Sequence, residues 1–356
     1  MISFRDLFGR KRASPDAKAD SAQDSEPPPS EVVIEGASSF AAGEHSERHE
    51  GYPVMAWEDV CDWLSRIESA AHQSAAWREA KRVWLLHMRC ALGPSFRLRE
   101  SKNVLLLSSL EPKVAGAALD YMERTLQRVA SMLDGVARMP AAGQEVMIIF
   151  DDYESYYRYV SYYYPNAGEY AFSGGMHIDA GCSHYVTIKA DLRLIEPVIA
   201  HEMTHGCLGH LPLPAWLNEG LAVNVERRLC RTPPTHTPQQ LHARHLAFWR
   251  PRDIQDFWSG RSFLRPDDGN LLSYDLARLI VEQLSRPWEP FKQFVLAADG
   301  ADAGSAAARQ YLGVDLGEVV CVLLEQPSPA VPWGPDPGQW QGEPERGRFA
   351  GKSWRA

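Results

Sequence analysis

Two short stretches constrain this chain more than any other: His201-Glu202-Met203-Thr204-His205, and Leu213 to Ala222, which reads LPAWLNEGLA. In an α-helix, residues i and i+4 lie one turn apart on the same face, so a helical first stretch stacks His201 over His205. Val198 and Leu208 share that face, and two stacked imidazoles among apolar neighbours make sense when a metal ion or a carboxylate uses them. Glu202 sits about 100° further round the helix, close enough to serve a metal-activated water without being a ligand. Pro197 suits the first position of a helix and Gly209 its end, so the helix is predicted to run from Pro197. The fold must then bring a third donor to this helix from elsewhere in the chain.

Three residues compete for that place. For His210, the spacing H-E-x-x-H-x-x-G-x-x-H would put glycine where Leu208 stands and histidine where Leu211 stands. Gly209 and His210 are each one residue out. Asp275 comes much later and has no supporting pattern. Glu219 follows Pro214 at a predicted helix start and shares a face with Ala215, Trp216, Ala222 and Val223. A carboxylate in an apolar stripe is costly unless it meets a cation, and this makes Glu219 the preferred donor. Two histidines and one glutamate leave the fourth position of a tetrahedral zinc open, the arrangement of catalytic rather than structural sites. One Zn2+ per chain is the expectation.

HEMTH followed by LPAWLNEGLA resembles the gluzincin zinc metallopeptidases, more narrowly the peptidase MA-like group. There an H-E-x-x-H helix is followed by a W-L-x-E-G-L-A helix that delivers the glutamate ligand. The likeness is concentrated between about 195 and 225 and extends weakly to Ser273-Tyr274-Asp275-Leu276. It implies His201, His205 and Glu219 as zinc ligands, Glu202 as general base, and a peptide or protein as substrate. It also implies an edge strand beside the motif helix that pairs with extended substrate, a role predicted for the run His184 to Lys189. Related aminopeptidases carry a tyrosine where Tyr274 stands, so the likeness implies Tyr274 as the second catalytic group, stabilising the oxyanion. The chain departs from thermolysin-like members four residues after Glu219. They carry there an aspartate that orients the first histidine, and this chain has Val223, which leaves His201 without an identified partner. A catalytically silent zinc-binding scaffold and a non-peptidase zinc hydrolase on the same fold are the alternatives.

The remaining pattern predicts an α+β fold, a gluzincin-like domain with a small mixed sheet ahead of the motif helix and a helical C-terminal part. Residues 1–52, rich in Ser, Ala, Pro and acidic residues, read as a disordered tail. Residues 53–325 form the domain: a helical lead-in over 53–93, an α/β part over 94–190 and a mainly helical part over 191–325. Residues 326–356 read as a second disordered tail. Residues 231–270 look irregular apart from a short helical piece near Leu241 to Phe248, and a stretch of that length often overlies a site. His87 lies among apolar helical positions and reads as a packed histidine. Seven tyrosines between Tyr153 and Tyr164 read as one packed, amphipathic helix face. The net charge of −9 and pI near 5.8 argue against a general nucleic-acid binder. No run approaches the ~20 apolar residues of a membrane span. The basic residues near Met1 lack the apolar core of a secretory signal, and the six cysteines form no C-x-x-C pair. A cytoplasmic protein with reduced thiols is the expectation.

Overall fold

The computed structural model describes residues 27–35, 38–140, 145–163, 175–230, 235–327 and 331–340. Its order starts well inside the stretch expected to be a tail. Val32 and Phe40 form a β-bridge, and both are buried with Ala42. Phe40 packs on Trp63, whose indole N–H donates to the Ser38 carbonyl. Next comes the hairpin β1 (Ser46–His49) and β2 (Tyr52–Met55). His49 pairs with Tyr52 across a two-residue turn in which Glu50 and Gly51 both have positive φ, as the right-handed twist of a tight hairpin requires. A few aromatic anchors thus order a segment whose average composition is polar.

The helical lead-in follows as α1 (Trp57–Leu64) and α2 (Ala70–Leu92), the latter capped by Ser69. His87 is packed as expected, bonded through Nε2 to the Pro29 carbonyl. Then come β3 (Arg97–Glu100), β4 (Val104–Ser108), α3 (Pro112–Met132), β5 (Glu145–Phe150) and α4 (Tyr153–Tyr163). The hairpin β6 (Gly175–Ala180) and β7 (Cys182–Ile188) completes a sheet of order β3-β4-β5-β7-β6. The central pairs β4–β5 and β5–β7 are parallel, and the outer strands run antiparallel to their neighbours. β7 therefore lies inside the sheet, and β6 is the edge. The expectation that His184 to Lys189 forms an edge is corrected, because β6 covers the side of β7 that β5 leaves open.

Alternation along the strands builds two cores. Val104, Leu106, Met147, Ile149 and Tyr185 face α3 and the C-terminal helices. Leu105, Leu107, Val146, Ile148, Phe150 and Val186 face the N-terminal hairpin, α1, α2 and α4. The tyrosine helix belongs to this second core: Tyr159 bonds His184 at 2.7 Å, and Tyr156, Tyr162 and Tyr163 are buried. Tyr164 lies outside the described residues.

The helical half opens with α5 (Leu192–Leu208), which starts five residues before the predicted position. Asp191 caps it by accepting from the Arg193 N–H, and Ile195 is buried in the first turns. The cap and that burial hold the turn although Pro197 removes one helical hydrogen bond. Then follow α6 (Ala215–Leu229), α7 (Pro238–Phe248), α8 (Asp253–Trp258), α9 (Asp268–Leu284), α10 (Trp288–Ala297), α11 (Ser305–Ala307) and α12 (Leu316–Leu323). The short helix expected near Leu241 to Phe248 is α7, closed by a capping box between Thr237 and Gln240, and α8 and the start of α9 make more of the stretch helical than expected. The expected C-terminal tail also packs in part. Trp333 is buried, its carbonyl accepts from the Trp258 indole, and Gln255 bonds both Gly334 and Trp340. Among the described residues no helix is long and apolar enough to cross a membrane, and no disulfide joins the cysteines.

Helix α6 lies against α9 at Gly220, where a Cβ would stand 2.6 Å from the Ala277 carbonyl oxygen and 2.7 Å from Val281 Cγ2. Backbone cannot yield as a side-chain tip can, so Gly220→Ala must push the helices apart. The change is expected to lower the unfolding free energy by about 1–3 kcal/mol, despite the better helix propensity of alanine. Gly116 in α3 has open space at the same point, and Gly116→Ala should raise stability by about 0.5–1 kcal/mol. Urea denaturation of the two variants checks the contrast; a stabilised Gly220→Ala would disprove the close-approach account.

Candidate metal centre

Helix α5 turns one face to the core through Ile195, Ile199, Met203 and Cys207, all buried. Its neighbouring face carries His201 and His205, whose rings lie 4.9 Å apart at 77°. The helix can settle this close to the sheet because position 206 is glycine. A Cβ there would collide with the Tyr185 hydroxyl and crowd the Glu145 carboxylate.

The partner helix α6 is anchored by Trp216, Leu217, Leu221 and Val225, all in the core. This fixes Glu219 opposite the histidines. Its Oε2 lies 3.1 Å from His201 Nε2 and 3.5 Å from His205 Nε2. One donor atom from each of the three residues lies within 4.8 Å of the others, and they form the one such group among the described residues. The donor set of two imidazoles and a carboxylate suits a borderline cation such as zinc. Neither His210 nor Asp275 joins it.

Electrostatics within the group run against burial. Burial alone would raise the Glu219 carboxyl, but His205 and His201 outweigh it and hold that carboxyl well below the usual range. Burial would lower both histidines, but Glu219 raises His205, and Glu219 with Glu226 raises His201 further. Glu202 is different. It is 8% exposed, its Oε2 has no hydrogen-bond partner, and burial pushes its carboxyl up. An unpaired buried carboxylate oxygen beside a donor cluster is a group held ready for a proton.

Tyr274, on α9, lies beside His201. Its ring lies 6.2 Å from His201 and edge-on to Phe263 at 5.2 Å. The Glu219 charge, with burial, raises its phenol well above the ordinary value, so the hydroxyl keeps its proton.

The chain matches no protein-family model and no curated protein sequence. The functional reading therefore rests on the residues of the centre themselves.

Two residues at the centre went unanticipated. Glu226 follows Glu219 by two helical turns, and its Oε2 lies 3.2 Å from His201 Nδ1. The seven-residue spacing, which puts Glu226 on the same helix face as Glu219, is the signal in the sequence, whereas Val223, four residues on, has no hydrogen-bonding group. His177 on β6 stacks on His205 at 6.1 Å and 18°, and its Nε2 meets Ser183 Oγ at 2.6 Å. Burial, with His205 next to it, lowers the His177 imidazole to about 3. No local spacing links a strand residue to the helix that follows, so His177 could not be found without the strand order.

Asp275, once a candidate ligand, is engaged elsewhere. Its Oδ2 lies 3.0 Å from His245 Nε2, and its Oδ1 accepts from Arg278 at 2.8 and 2.9 Å. His245 Nδ1 in turn accepts from the Trp249 indole at 2.8 Å. Burial opposes the Asp275 charge, but His245 and Arg278 outweigh it and hold the carboxyl below its ordinary 3.8. A lowered carboxyl contributes stability in full above its ordinary value and loses it as pH falls through the folded value. Asp275→Asn should therefore cost about 1.5–3 kcal/mol at neutral pH, and wild type and variant should converge as pH falls through the lowered carboxyl's range. Chemical denaturation across pH 2–7 checks this, and a difference that persists undiminished at the acid end would refute the ion-pair account.

Proposed function

We propose that this chain is a zinc-dependent metallopeptidase of the gluzincin type. The observation that carries the reading is the convergence of His201, His205 and Glu219 donor atoms beside a buried carboxylate that none of them uses, Glu202. A structural metal site has no need of such a base, whereas hydrolysis does.

His201 and His205 through Nε2, and Glu219 through a carboxylate oxygen, would hold the ion. When bound, zinc supplies a Lewis acid that polarises a carbonyl and acidifies water. Glu202 takes a proton from the attacking water and returns it to the amine nitrogen as the peptide C–N bond breaks. The Tyr274 hydroxyl, protonated and with its ring beside His201, would donate to the carbonyl oxygen as charge develops. An extended peptide is accommodated along β6, which pairs with β7 alone among the described residues. This moves the substrate-pairing role from β7 to its neighbour, on the strand that carries His177.

Glu202→Gln separates binding from chemistry. Both proteins are expected to take up one equivalent of zinc, while digestion of a peptide library falls by about 10²–10⁴ in the variant. Cleavage that survives in Glu202→Gln would remove Glu202 as base. Zinc uptake by wild type with no cleavage of any library member would sink the peptidase reading and leave a zinc-binding scaffold.

A further inference from the structure

We infer that Glu226 is the positioning residue of the metal centre, the carboxylate that selects the tautomer of His201. This rests on reading the centre as a metal site.

A neutral imidazole carries one N–H, and the nitrogen without it is the one that can bind a metal. The two nitrogens of His201 face two different carboxylates, Nε2 toward Glu219 at 3.1 Å and Nδ1 toward Glu226 at 3.2 Å. Glu219 and His205 Nε2 share the side where a cation would sit, so His201 must present its Nε2 lone pair there. The proton then belongs on Nδ1, from which it is donated to Glu226 Oε2. With the opposite tautomer, Nδ1 would turn a lone pair toward a carboxylate, and Nε2 would close the ligand position with its proton.

Nothing else among the described residues bonds His201 Nδ1. Val223, one turn beyond Glu219, has no hydrogen-bonding group. His201 makes no other side-chain bond among the described residues. His205 offers a built-in contrast: its Nδ1 is buried and has no hydrogen-bond partner. One ligand ring is therefore locked by a carboxylate while the other is held by packing and by its stack with His177. Glu226 also makes no other side-chain bond among the described residues. It stands two turns from Glu219 on the same helix, so α6 delivers both the ligand and the group that orients a second ligand.

The test measures zinc affinity by chelator competition, together with the visible spectrum of the cobalt(II)-substituted protein. Wild type should bind one equivalent. Glu226→Ala should bind about 10–100-fold more weakly and shift the cobalt bands. Glu226→Gln, whose amide oxygen still accepts from Nδ1, should recover most of the affinity. The Glu226 side chain is 29% exposed, so the metal-free variants should melt within a few degrees of wild type, and a merely structural role would not alter the cobalt spectrum. Glu226→Ala with wild-type affinity and spectrum, alongside a His201→Ala variant that loses zinc, would overturn the inference while leaving the metal site intact. Wild type that takes up no zinc would overturn both.

Discussion

The carboxylate of Glu219, lodged between two imidazoles, is the contact on which the rest of the centre depends. A buried carboxylate costs several kcal/mol unless positive charge meets it, and burial equally disfavours a charged imidazole. In this cluster the two penalties are overcome together: the carboxyl is held down while both histidines are held up. The pocket thus favours net positive charge between the three donors. In the free chain the raised histidines lean toward that charge, and a divalent cation, were one bound here, would supply it more compactly. Such binding would displace protons and strengthen as pH rises.

Bringing that carboxylate into place is a packing problem, which glycine solves at both ends. Gly206 lets α5 lie against Tyr185 and Glu145 of the sheet, and Gly220 lets α6 lie against the backbone of α9. Gly175 does the same for β6, where a Cβ would strike Val198 of α5. A methyl group at any of these positions would displace an element that carries a donor or a neighbour of one. The glycine beside Glu219 thus has a mechanical reason: it allows α6 to sit deep enough for that carboxylate to reach both rings.

Helical periodicity made the candidate donors His201 and His205 and the neighbouring Glu202 legible, because they need only local geometry, and the apolar stripe around Glu219 announced its partial burial. Information that is not local was harder to read. Strand order decides whether β7 is an edge, and no property of the run from His184 to Lys189 records that β6 pairs beside it. The start of α5 was misplaced because tertiary burial of Ile195 and the Asp191 cap outweigh the cost of an interior proline. Both termini were underestimated for one reason: Phe40 and Trp333 are single large anchors whose burial can order a segment of polar average composition. Glu226 was within reach of the same periodicity that found Glu219, two turns further along the face.

Helix α9 shows how far the support for the centre extends beyond the ligands. Tyr274 and Asp275 are consecutive, so their side chains diverge by about 100°. One lies beside His201, and the other is tied to Arg278 and to His245 of α7. The backbone that carries Tyr274 is thus held by the bonds from Asp275 to Arg278 and His245, and its ring packs edge-on against Phe263. Asn224 of α6 reaches across the same junction to the Arg278 carbonyl at 3.0 Å, on the helix that also holds Glu219 and Glu226. Changes at His245, Asp275 or Arg278 would therefore alter the distance between Tyr274 and the donor cluster without touching any member of it. This makes the hydrogen bond between His245 of α7 and Asp275 of α9 part of the centre's geometry, although neither residue is among the three donors.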